Sequence, residues 1–194
     1  MTGRIVGVLL AAGRGERFGG GKLLVPLPAG PNAGVALGVA ACRNLRAAVG
    51  GVIAVVRPGD PALVASLARE GAHVVVAANA DGGMGASLAA GIAAASGADG
   101  FVVALGDMPW VAPATIRAVV EALRSGASIA APRCHGRRGH PVGFGAECYP
   151  AMAALGGDAG AREIVAAHGA RLTRVDVDDP GILRDVDTPA DLDR

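Results

Sequence analysis

Ile5-Val6-Gly7-Val8-Leu9-Leu10 runs directly into Ala11-Ala12-Gly13-Arg14-Gly15-Glu16-Arg17-Phe18-Gly19-Gly20-Gly21-Lys22, an apolar run emptying into a glycine-rich loop with three cations. The glycines let backbone N–H groups approach an anion without Cβ obstruction and permit positive φ, while Arg14, Arg17 and Lys22 set charge against several phosphates. A buried strand ending in such a loop suits the ligand crevice of an open α/β sheet. Two better-known phosphate loops are excluded by their letters. A Walker A loop needs Gly at position 16 and Ser or Thr at 23, where Glu16 and Leu23 stand. A dinucleotide fingerprint starting at Gly13 and Gly15 needs a third small residue where Phe18 stands.

The surrounding pattern supports that fold. Apolar runs at Ile5–Leu10, Val52–Val56, His73–Ala77, Phe101–Leu105, Ser128–Ala131 and Leu172–Val177 predict strands. Helices are predicted between and after them, over Gly34–Ala48, Pro61–Glu70, Gly85–Ala95, Pro113–Arg124, Glu147–Leu155 and Gly160–His168. Strands alternating with helices predict an α/β chain with a mostly parallel sheet and helices on both faces. Asp60-Pro61 and Thr188-Pro189 each read as an N-cap followed by proline at the first helical position. No linker-like run or solenoid repeat interrupts the 194 residues, so residues 1–194 are expected to form a single domain.

Composition limits the partners. Apolar residues make up 52% and aromatics 3%, so the core must be built from Val, Leu, Ile and Ala. A net charge of +1 supplies no global field for a nucleic acid or an anionic membrane, so any anion site is local. Cys42, Cys134 and Cys148 are odd in number and lack CxxC spacing, which argues against a disulfide framework or a zinc site and for a reducing cytoplasm. The apolar run after Arg4 is too short to span a bilayer and shows no targeting pattern.

Further segments carry chemistry. Asp107, in Gly106-Asp107-Met108-Pro109, follows a buried strand and faces the crevice, where a carboxylate can hold Mg²⁺ on a triphosphate; the bland alternative is an Asx-type turn. A late acidic cluster contains Asp176, Asp178, Asp179, Asp185 and Asp187, and the last two, alternate on an extended segment, point the same way. The basic segment from Arg133 to Phe144 suits a second anion; Arg138 and His140 are its best candidates, with Arg133 and Arg137 read as solvated surface. Gly82 to Leu88 opens a helix whose amides can meet a base or ribose through Gly83 and Ser87, although Ser87 can equally cap or pack locally. In Gly157-Asp158-Ala159-Gly160-Ala161-Arg162, Asp158 reads as an N-cap. His73 and His168 are expected at element edges. Cys134 and His135 are neighbours whose side chains should point apart, and no nucleophilic triad is present.

In order along the chain, Leu10-Ala11-Ala12-Gly13 with Arg17 and Lys22, Gly83-Met84-Gly85-Ala86-Ser87-Leu88, Gly106-Asp107-Met108-Pro109, Arg138-Gly139-His140-Pro141, Gly157 to Arg162 and Asp185-Val186-Asp187-Thr188-Pro189 resemble the MobA-like nucleotidyltransferases. The similarity covers nearly the whole chain and is closest to the molybdenum cofactor cytidylyltransferase branch. Gly15 stands where many relatives carry a polar residue, and Phe18 where Met is frequent. Guanylyl-transferring relatives tend to read Leu-Ala-Gly-Gly, so Ala12 favours the cytidylyl branch. The resemblance implies a Rossmann-like nucleotidyltransferase fold and transfer of CMP from CTP to the terminal phosphate of molybdopterin or molybdenum cofactor, with Mg²⁺ and release of pyrophosphate. It implies nucleotide binding by Leu10, Ala11, Ala12, Gly13, Arg14, Gly15, Lys22, Gly83, Ser87 and Asp107. It further implies catalysis by Lys22, Arg17 and Asp107, metal at Asp107 and Asp187, and acceptor binding by Arg138 and His140. A molybdoenzyme or its chaperone would receive the product. A guanylyltransferase, a relative with another acceptor, and a non-catalytic nucleotide-binding regulatory module are the alternatives.

Overall fold

β1 (Ile5–Ala11) lies in the middle of the parallel half of the sheet, covered on both faces. In this computed structural model, which describes residues 3–158 and 160–193, β1 pairs in parallel with β2 (Val52–Val56) on one side and β4 (Gly100–Leu105) on the other. β3 (His73–Val76) extends the parallel half beyond β2. Register brings Leu10 level with Val55 and with Leu105, so the glycine loop and the turn carrying Asp107 leave the sheet at the same end.

Alternation sorts the β1 side chains between two cores. Ile5, Leu9 and Ala11 pack toward α1 (Leu37–Arg46), α2 (Pro61–Arg69) and α4 (Pro113–Arg124). Val6 and Val8 pack toward α3 (Met84–Ala94), α5 (Tyr149–Ala153) and α6 (Arg162–His168). Helices therefore cover both faces, as the sequence predicts. The Asp60 carboxylate caps α2 by accepting from the Leu63 amide at 3.0 Å, which stabilises a helix by about 1 kcal/mol.

The other half of the sheet is mixed. β7 (Val142–Gly145) lies antiparallel between β4 and β5 (Ile129–Cys134), and β8 (Thr173–Asp176) pairs in parallel with β5. β6 (Arg137–Arg138) folds back on β5 through a tight turn in which His135 has φ 47° and Gly136 φ 76°. The predicted strand Ser128–Ala131 thus runs on to Cys134 and becomes half of a hairpin, because His135 and Gly136 accept left-handed backbone.

Three predicted helices are trimmed. Pro26 bridges Ala36 and Gly34 has φ 77°, so the helix predicted from Gly34 starts at Leu37. Glu147 belongs to a 3₁₀ turn preceding α5, and Gly160, at φ 56°, lies outside α6. Beyond β8, residues 177–193 form no strand and instead cross the strand ends. There the His140 amide donates to the Ile182 carbonyl and the Val186 amide to the Asp107 carbonyl, both at 3.0 Å. Buried Asp179 accepts from the Ala112 amide, the Thr115 hydroxyl and the Gly181 amide, tying this segment to the start of α4. No helix among the described residues is long and apolar enough to cross a membrane.

Candidate functional site

The loop after β1 is shaped by left-handed glycines: Gly15, Gly19, Gly20 and Gly21 all have positive φ. They bracket a 3₁₀ turn (Glu16–Phe18), whose Phe18 ring anchors against the core, and they deliver Lys22 inward, only 8% exposed. The Lys22 ammonium donates at 2.8 Å to both the Asp107 carboxylate and the Val186 carbonyl, and it sits 3.8 Å from the Asp187 carboxylate. Arg17 holds the other Asp187 oxygen at 2.7 Å. The Asp107 carboxylate thus turns toward the glycine loop and caps no backbone amide among the described residues, unlike an Asx-type turn. Asp187, rather than Asp185, reaches the ammonium, with buried Val186 between them.

Two carboxylates converging on one ammonium form a donor set that fits a divalent ion: hard oxygens from different segments, each partly open to water. Arg14, further out, donates to Asp81 at 2.7 Å, and Arg57 adds a 3.3 Å contact to the same carboxylate. The Arg14 hydrogen bond holds the Asp81 carboxyl below its usual range.

Leu10, Ala11, Ala12, Gly13, Arg14, Lys22, Gly83, Ser87 and Asp107 line a single cleft of about 450 Å³; among the residues expected to bind nucleotide, Gly15 alone is missing from its wall. Gly15 packs against the Lys22 stem. The helix-opening segment departs from expectation. The Gly85 amide donates to the Gly157 carbonyl at 2.8 Å, so it is not offered to a ligand. A Cβ at Gly85 would sit 2.5 Å from the Gly156 carbonyl oxygen, and one at Gly83 would strike Asp158 and Gly157. These two glycines exist for a close approach of the 156–158 loop. Asp158 consequently lines the cleft instead of capping α6, whose N-cap is Ala161; Ala159 lies outside the described residues. Ser87 donates back to the Gly83 carbonyl at 3.4 Å while facing the cleft. At Thr188 the cap also runs the other way: Asp191 accepts from the Thr188 amide and hydroxyl, both at 2.8 Å.

A second pocket, about 120 Å³, shares Leu10, Met84 and Leu105 with the first and so adjoins it. Its walls are apolar, from Leu88, Val103, Phe144 and Val165; Arg138 and Arg162 supply its charge, and His140 adds a polar ring. A side chain at Gly139 would collide with the Ile182 carbonyl, so the glycine allows the chain to pass between Arg138 and His140. Burial holds the His140 imidazole neutral below its usual range, reinforced by nearby Arg138 and Arg162 against the opposing pull of Asp107 and Asp185. Its Nδ1 is buried without a hydrogen-bond partner among the described residues. Arg133 instead forms a bidentate pair with Asp176 at 2.6 and 2.8 Å, consistent with its reading as surface.

Sequence reasoning missed Arg162, Met84, Asp81 and Asp158 as wall residues. The Gly157–Arg162 motif was the available signal for Asp158 and Arg162; Asp81 had none. Cys134 and His135 correct another expectation. Their side chains converge instead of diverging, because the left-handed His135 breaks the strand alternation.

Residues 7–172 match the MobA-like NTP transferase domain. The chain is 34% identical to nicotine blue oxidoreductase of Paenarthrobacter nicotinovorans, covering 95% of this chain and 92% of that protein. It is 30% identical to the purine catabolism protein PucB of Bacillus subtilis, covering 97% and 94%. Among solved structures it is similar to Rv0371c of Mycobacterium tuberculosis, with TM-score 0.85, 32% identity, and 100% and 97% of the two chains covered. A manganese complex of Rv0371c superposes with TM-score 0.79 at 30% identity, covering 98% and 97%.

Proposed function

This chain belongs to the MobA-like NTP transferase family, and we propose that residues 1–194 act as one catalytic domain that moves CMP from CTP to the terminal phosphate of molybdopterin or molybdenum cofactor, releasing pyrophosphate. The observation that carries the reading is the adjacency of two unlike pockets. One has Lys22 against the Asp107 carboxylate, with Asp187 3.8 Å from the same ammonium at its margin; the other is apolar with Arg138, His140 and Arg162 at its walls. A donor triphosphate and an anionic acceptor with a ring system match those two environments.

In this reading the acceptor phosphate attacks the α-phosphorus in line as the bond to pyrophosphate breaks. The nucleophile is already ionised near neutral pH, so no general base is required. Lys22 and Arg17 stabilise charge gathering on the leaving pyrophosphate, and the glycine-loop amides orient it. Asp107 and Asp187 would hold Mg²⁺, which supplies Lewis-acid neutralisation of that charge. Arg138 and neutral His140 hold the acceptor, and the Ala12 methyl narrows the base site against a purine. The manganese held by the Mycobacterium tuberculosis relative supports a divalent ion in this fold.

The oxidoreductase named among the relatives raises a redox reading for the same family. Phe18 opposes a dinucleotide-binding version of it, since that fingerprint needs a small residue there. The test is pyrophosphate release from CTP or GTP with Mg²⁺, with and without purified molybdenum cofactor. Acceptor-dependent release that prefers CTP is expected. Release from GTP in preference would move the assignment to the guanylyl branch, and nucleotide binding without release under any condition would leave the regulatory module.

A further inference from the structure

We propose that Cys134, His135 and Asp178 form a second cation site, separate from the Asp107–Asp187 pair and selective for a borderline transition ion of the zinc class. One ligand atom from each of the three residues lies within 4.8 Å of the others. The convergence is produced by two backbone features. His135 adopts φ 47°, turning its imidazole to the same side as the preceding thiol. The parallel pairing of β5 with β8, continued by the Val177 amide donating to the Arg133 carbonyl at 3.0 Å, carries Asp178 alongside Cys134. The bidentate Arg133–Asp176 pair lies next to the site and holds the two segments in that register.

None of the three side chains has a hydrogen-bond or ion-pair partner among the described residues. Three donors brought together and left unused by the protein are what a cation site requires. The donor set decides the ion. A thiolate, an imidazole and a carboxylate suit zinc, whereas Mg²⁺ and Ca²⁺ prefer oxygen donors alone. Tetrahedral bonds of about 2.0–2.3 Å place donors roughly 3.3–3.7 Å apart. The exposed His135 and Asp178 close that difference by side-chain rotation, while the buried Cys134 thiol forms the floor. On binding, the thiol releases its proton to solvent, the sulfur coordinates, and a remaining position stays open to water. The bound ion would clip the β5–β6 hairpin, which carries Arg138, to the segment leading to Asp185 and Asp187.

The whole protein, stripped with chelator and supplied with excess Mg²⁺ to occupy oxygen-only sites, is titrated with Co²⁺ at mildly alkaline pH. A near-ultraviolet thiolate-to-cobalt charge-transfer band saturating at one equivalent, and displaced by Zn²⁺, is expected. Cys134→Ser should abolish the band. Asp178→Asn and His135→Gly, the latter chosen because glycine keeps the turn conformation, should each weaken Co²⁺ binding by about tenfold or more. The two exposed variants carry the test if Cys134→Ser fails to fold. Absence of the band in the unaltered protein overturns the site, as does its persistence at full strength in Cys134→Ser. Unchanged affinity in both Asp178→Asn and His135→Gly overturns it equally.

Discussion

In the glycine-loop cleft both cations of the wall are already matched, Lys22 to Asp107 and Arg14 to Asp81, and beside it Arg17 is matched to Asp187. In the adjoining apolar pocket Arg138 and Arg162 make no ion pair among the described residues, and His140 keeps an unpartnered Nδ1. The first region is self-neutralised, so a triphosphate entering it must bring positive charge or displace carboxylates from cations. The second presents net positive charge, which an anion can meet without rearrangement. A metal-accompanied nucleotide on one side and a metal-free anionic acceptor on the other satisfy both conditions.

The largest effects should come from breaking the matched side. Asp107→Ala should remove metal-dependent turnover, and Lys22→Ala should lower it by about 10²-fold or more, in steady-state assays of the proposed transfer. Asp187→Ala should do less, because Asp187 is the more exposed acid and reaches the ammonium at longer range. Normal turnover in folded Lys22→Ala would dismiss the cleft as a triphosphate site. Since the Lys22 stem is buried and its ammonium ties Asp107 to Val186, a lower melting temperature should accompany the kinetic loss.

On the unmatched side, Arg138→Ala and His140→Ala should weaken acceptor use by about ten- to a hundredfold, the roughly 1.5–3 kcal/mol of a charge-assisted hydrogen bond, with nucleotide binding nearly unchanged. Separate titrations of nucleotide and acceptor check the split; reversed losses would exchange the roles of the pockets. Arg133→Ala is the paired control and should leave acceptor binding as it was.

Gly85→Ala probes the seam between the regions. A methyl pressed on the Gly156 carbonyl should cost about 1–3 kcal/mol in denaturant unfolding and displace Asp158 from the cleft wall. The smallest expected effect is on pH dependence. The folded-state pKa of His140 lies below its unfolded value, so as pH falls the unfolded chain takes up the proton first. The stability tied to neutral imidazole is complete above about pH 6.5 and declines on acidification toward the lowered folded value. Melting temperatures measured between about pH 7.5 and 5 should fall less steeply in His140→Gln.

The parallel half was legible because its signals are local: apolar runs of strand length, Asp60-Pro61 at a helix start, glycines after β1. The mixed half was less so. Extension of β5 to Cys134 depended on a histidine accepting left-handed backbone, and placement of β7 between β4 and β5 depended on pairings distant in sequence. In the site, Lys22 could be named from its glycine-rich loop and Asp107 from its strand-end position, but their contact with each other could not. Asp187 was separable from Asp185 only once the chain's path over the strand ends was known. Gly83 and Gly85 could be noticed for their place at a helix start, but nothing local shows that residues 156–158 press against them or that the Gly85 amide is taken by Gly157.

The segment after β8 has a consequence for truncation. The eight strands of the described residues are complete by residue 176, yet a second partner of the Lys22 ammonium, the Val186 carbonyl, and the partner of the His140 amide, the Ile182 carbonyl, come later. A chain cut between residues 176 and 182 would keep those strands but leave the Lys22 ammonium with Asp107 alone, and it would lack the buried Ile182 and Val186 side chains. Such a chain should melt lower and hold Lys22 less firmly, so the last segment acts as a clasp across the strand ends.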